Sequence, residues 1–214
     1  MPQCDEREYR SMTLRAKQRA QDEENGFIVE GYFTTYNDPY ELYRMDGVIV
    51  VEQIAPGAFD NCDVSDVIMQ YDHQGHVYAR NSNGTLSLAD DSHGYSCRAD
   101  LSGTAIGRQL YEEIDGGYTN KMSFGFTIES KAEPQITENE DGTVTVLETI
   151  TGIRKLYDVS AVSIPANPGT QIEATRSAYA AGVAEKVFQE LEEKRAADKK
   201  RQELALKLKI AMEV

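Results

Sequence analysis

The segment Lys121-Met122-Ser123-Phe124-Gly125-Phe126-Thr127-Ile128 constrains the fold more than any other. Side chains on a β-strand alternate between two faces. Phe124, Phe126 and Ile128 therefore share one face, which reads as core. Ser123, Gly125 and Thr127 share the other, which is small and polar. A serine on a rigid strand with only small neighbours is expected to be accessible, which suits a nucleophile. Such a run belongs in a sheet with one apolar side.

Many short runs of the same kind surround it. Gly26 to Phe33 and Gly47 to Glu52 are β-branched and aromatic stretches closed by turn residues. Val67, Met69, Tyr71 and His73 alternate as one strand face. Asn81 to Gly84 reads as a hairpin turn into Thr85–Leu88, and Asp90 to Gly94 turns into Tyr95–Leu101. Glu138 to Gly142 is an acidic tip before Thr143–Val146, and a further strand runs from Ile153 to Ile164. One helix interrupts them: Thr104 caps Ile106, Leu110 and Ile114 at spacing four, and Gly116-Gly117 closes it. The pattern predicts an antiparallel barrel or sandwich with one inserted helix.

Three regions follow from composition. Residues 1–25 are polar and mixed in charge and read as an N-terminal arm. Residues 26–177 hold the strands and form the globular domain. From 178 to 214 the chain turns to Ala, Glu, Lys, Arg, Gln and Leu, which predicts a separable charged helical tail.

The formal charge of −14 argues against a general nucleic-acid surface, which needs excess Lys and Arg. No apolar run approaches the ~18 residues of a membrane helix, and residues 1–7 lack the apolar stretch of a secretory signal. The expected location is the cytoplasm in which the chain is made, with no membrane partner. Cys4, Cys62 and Cys97 form neither a CxxC nor a disulfide framework. A Cys97 nucleophile stands against the simpler reading of a small buried thiol.

Serine hydrolysis needs a hydroxyl, an imidazole to take its proton, and a group that orients the imidazole. Ser123, His73 and Asp158 could fill these roles from three different strands. Each also has a plainer reading: a small strand residue, a solvated strand-end histidine, a hydrogen-bonded edge carboxylate. His73 and His76 form an H-x-x-H beside Asp72, but no thiolate pair or second carboxylate cluster completes a metal site. No cofactor is expected.

Several segments together resemble the prohead (capsid-maturation) serine proteases of tailed bacteriophages. They are Glu52-Gln53-Ile54-Ala55-Pro56-Gly57-Ala58-Phe59, His73 after its apolar strand, Asn83-Gly84-Thr85-Leu86 and Gly107-Arg108. Met122-Ser123-Phe124-Gly125-Phe126 follows, then Leu156-Tyr157-Asp158-Val159-Ser160-Ala161-Val162 with Pro165-Ala166. The resemblance implies Ser123 as nucleophile, His73 as general base and Asp158 as third member, where relatives tend to carry Glu. It also implies a fold similar to herpesvirus maturational proteases: mainly β, α+β in class, an antiparallel barrel-like catalytic domain with flanking helices. The loop Pro165 to Gly169 becomes the candidate oxyanion hole. The implied activity is a serine endopeptidase inside the immature capsid in the host bacterial cytoplasm. It would cut scaffold or major capsid protein segments and itself, with self-association as a further expectation. The alternative is a non-enzymatic assembly module that binds scaffold or capsid subunits.

Overall fold

The computed structural model describes residues 7–13, 15–16, 26–45 and 47–163, and Gln189, Glu193, Ala196, Lys200 and Arg201. Among residues 7–163 the described part is mainly β with one α-helix. Its strands are β1 (Glu8–Thr13), β2 (Arg15–Ala16), β3 (Ile28–Thr35), β4 (Tyr40–Met45), β5 (Val48–Ile54) and β6 (Ile68–Tyr71). Then come β7 (Gln74–Arg80), β8 (Leu86–Asp90), β9 (Gly94–Asp100), the helix α1 (Ala105–Asp115), β10 (Lys121–Lys131), β11 (Gln135–Glu138) and β12 (Val144–Val162).

β12 is the spine. Its 19 residues join into one strand the two runs that the sequence reads as separate. Its first half pairs with β11 and, in parallel, with β5; its second half pairs with β10 and, in parallel, with β6. The main sheet runs β1-β10-β12-β5-β4, with β6, β7 and β11 attached off that path, and β2-β3-β9-β8 forms a second sheet. The β10–β12 register shifts four times from Gly125 onward, and such bulges add twist and bend. The sheet curls into a half-barrel. It is mixed, because the two parallel pairs depart from the wholly antiparallel arrangement expected from the turn spacing.

The core lies on the inward face of this curl. Phe124 and Phe126 stack at 4.7 Å between ring centroids, and Phe33 packs on Phe124 at 5.3 Å. Ile54, Met69, Leu101, Ile150, Ile153 and Leu156 are fully buried around them. In α1, Thr104 Oγ1 accepts the Gly107 amide at 3.0 Å, as a cap should. The buried face is Gly107, Leu110, Tyr111 and Ile114, whereas Ile106 is exposed. A Cβ at Gly107 would stand 2.4 Å from the Leu101 carbonyl oxygen, so the close approach of helix to strand requires glycine.

One region differs from expectation, and another lies mostly outside the described residues. Part of the expected arm is strand: β1 pairs along β10 from Glu8↔Phe126 to Thr13↔Lys121, and β2 pairs with β3. The tail is described only at five residues, all helical and exposed. The remaining tail positions and Pro165 to Gly169 lie outside the described residues.

One polar group interrupts the inward face. Arg10 on β1 donates through Nε to Glu52 Oε1 at 2.5 Å, Tyr40 donates to the same oxygen at 2.6 Å, and Lys131 bonds Glu148. Glu52 and Glu148 are directly opposed on β5 and β12 and almost fully buried. Burial works to raise the Glu52 pKa, but Arg10 and Lys131 outweigh it and bring the carboxyl down to about 2.

Candidate active site

Three neighbouring elements build the site. β10 carries Ser123, β12 carries Asp158, and the two-residue turn between β6 and β7 carries His73. β12 lies between the other two: Asp158 is paired with Gly125 on one side and with Ile68 on the other. Ser123 is paired with Ser160.

His73 is therefore not on a strand, as its alternation with Tyr71 predicts. The chain reverses at Asp72 and His73, both at positive φ (51° and 59°), with Tyr71 paired to Gln74. Two positive φ values are the signature of the tight hairpin turn that follows strand twist. Asp and His are among the few non-glycine residues that tolerate this region. Asp72 pins the turn: its carboxylate accepts the Ser163 amide at 2.9 Å and the Ser163 hydroxyl at 2.8 Å, and its own amide reaches the Ala161 carbonyl.

The pinned turn sets the ring against β12. His73 Nδ1 lies 2.5 Å from Asp158 Oδ1, with the two side chains 16% and 2% exposed. An ionised carboxylate only accepts, so Nδ1 carries the proton and Nε2 keeps its lone pair when the ring is neutral. Ser160 donates its hydroxyl to the same Oδ1 at 2.6 Å. Tyr9 of β1 lies against the other side of the imidazole, with ring centroids 4.2 Å apart.

Ser123 departs from the sequence reading in one respect. Its face of β10 is small and polar, but it is not open: Ser123 is 0% exposed and Thr127 3%. Ser123 Oγ, His73 Nε2 and Asp158 Oδ2 are buried with no hydrogen-bond partner among the described residues. The His73–Asp158 half of the expected constellation is thus made, and the Ser123–His73 bond is not. Unsatisfied buried polar atoms gathered in this way, with Thr127 Oγ1 beside them, are costly in a structural core. They suit a site that completes its bonds with a bound molecule.

The other candidates lie elsewhere. His76 is exposed on β7, and among the described residues no three acidic, His or Cys side chains gather as metal ligands. His93 is exposed beside Tyr32. Cys97 is buried, and burial pushes its thiol up to about 12, which keeps it protonated and unreactive. Glu148 is bonded to Lys131 and Asp72 to Ser163. Tyr9 and Ser160 were not singled out from the sequence. The signal for Ser160 was its position two residues beyond Asp158, which puts both on one strand face.

Among curated proteins, none matches this chain. Among solved structures, the bacteriophage T4 capsid assembly protease gp21 is similar at 11% identity and a TM-score of 0.41, over 73% of this chain and 97% of that one. A family model described as the caudovirus prohead serine protease matches residues 14–184, which include all three candidate site residues. The chain belongs to the caudovirus prohead serine protease family.

Proposed function

We propose that this chain is a serine endopeptidase of prohead maturation, with Ser123 as nucleophile, His73 as general base and Asp158 as the carboxylate that orients it. The observation that carries the reading is the 2.5 Å contact of His73 Nδ1 with Asp158 Oδ1, beside a buried serine on the neighbouring strand. Asp158 holds the tautomer in which Nε2 is free to accept a proton. As a peptide enters, Nε2 takes the Ser123 proton and Oγ attacks the scissile carbonyl carbon. The imidazolium then protonates the leaving amine, and water, deprotonated by Nε2, releases the acyl group.

The substrates of this reading are the scaffold or scaffold-like segments of the capsid protein, and the chain itself, cut within the immature shell. Family membership supports it. The experiment is labelling of the full-length chain with a serine-directed fluorophosphonate, located by peptide mass. Adduct on Ser123, lost in Ser123→Ala and His73→Ala but kept in His76→Ala, is the expected result. The absence of labelling under every condition, with the fold intact, favours an assembly module that binds capsid subunits without cutting them. The unmade Ser123–His73 bond is the observation that keeps that second reading in view.

A further inference from the structure

Asp158 Oδ1 accepts two bonds and Oδ2 none from the described residues. One donor is His73; the other is Ser160, which is 0% exposed and directly across the sheet from Ser123. We infer that Ser160 is a positioning residue of the site, fixing the Asp158 carboxylate on His73 Nδ1 through its own hydroxyl. The inference rests on the reading of His73 as the base.

Several physical facts converge on it. Asp158 and Ser160 are next-but-one on β12 and project from the same face, so the bond costs no backbone distortion. A buried hydroxyl that loses its acceptor is costly, so this one is held in place. Two donors converging on one oxygen fix the plane of the carboxylate, since turning Asp158 about its last torsion weakens both bonds together. Gly125 completes the seat by leaving room for the other oxygen: a Cβ there would stand 2.5 Å from Oδ2.

Ser160 also tunes the charge that His73 feels. A hydroxyl donating to a carboxylate stabilises the anion and disperses its charge. Without that donor the carboxylate is free to turn, and the imidazole loses the fixed partner that orients it. Loss of Ser160 therefore lowers the rate and disturbs the Nδ1–H bond of His73 itself.

The test compares full-length wild type with Ser160→Ala, Ser160→Cys and Ser160→Thr. Fluorophosphonate labelling rates against pH give the profile, and proton NMR follows the hydrogen-bonded Nδ1–H of His73, a readout that does not need Ser123 to react. Ser160→Ala is expected to lose about tenfold in plateau rate. Its Nδ1–H resonance moves, and Ser160→Thr, which keeps the hydroxyl, restores both. Should the alanine variant fail to fold, the nearly isosteric cysteine, a weak donor, is read in the same way. A profile superimposable on wild type with an unmoved resonance, and only the melting temperature changed, overturns the inference. If no variant is labelled, wild type included, the nucleophile assignment fails, and the resonance alone decides whether Ser160 positions the pair.

Discussion

Gly125 and Asp158 face each other across β10 and β12, and the carboxylate lies in the space that a side chain at 125 would fill. A Cβ at that position would also meet the Tyr9 ring at 2.9 Å. Gly125→Ala must therefore displace Asp158, Tyr9 or both. We expect it to reduce fluorophosphonate labelling of Ser123 by about a hundredfold while costing about 1–3 kcal/mol of stability. Labelling at the wild-type rate would mean that the carboxylate can move without consequence for His73.

Asp158→Asn keeps the shape of the side chain but removes its charge. It no longer enforces the tautomer with Nδ1 protonated, and the imidazolium loses its counter-charge. A fall in labelling rate of about a thousandfold or more is expected, with little change in thermal midpoint. A loss of less than about fivefold would assign the orientation of His73 to the turn alone.

Tyr9→Ala removes the ring packed on the imidazole. If that ring is chiefly a cover, labelling by a bulky fluorophosphonate should rise severalfold, because the side of the imidazole on which Tyr9 rests is then uncovered. A slower reaction would show instead that Tyr9 braces His73, and the NMR signal of Nδ1–H would broaden with it.

The Glu52 carboxyl gives a prediction in pH. Its folded pKa, about 2, lies below the ordinary 4.5. It therefore contributes stability that is fully present above about pH 4.5 and lost as pH falls towards 2. The thermal midpoint of wild type should drop through that window. Glu52→Gln should start lower at neutral pH and fall less steeply over the same interval. Parallel slopes for the two proteins would show that other carboxylates govern the acid transition.

How much of this could be read beforehand follows from range. Strand periodicity, the Thr104 cap and the glycine-closed turns are local, and the strands of the globular region, the helix and the small polar face of β10 were legible for that reason. Ser123, His73 and Asp158 were marked by residue type and resemblance, and the structure brings the last two into contact. The turn at Asp72-His73 was hidden, because alternation carried on through it and the glycine that signals a turn, Gly75, comes two residues later. The parallel pairing of β12 with β5 and β6 joins residues about a hundred positions apart, which periodicity does not encode. The burial of Ser123 was missed for a related reason. The face of a strand is set by its own sequence, but what lies over that face is set by distant chain.

β1 ties two distant needs together. One residue, Arg10, reaches inward to balance Glu52; the preceding one, Tyr9, reaches the opposite face and rests on His73. Lifting this strand from β10 would uncover the imidazole and at the same time take from Glu52 the Arg10 guanidinium that balances it. Unpaired buried charge is among the most expensive defects a fold can carry. The cover over the imidazole and the charge balance of the sheet interior are therefore one fixture, because adjacent residues of a single strand supply both.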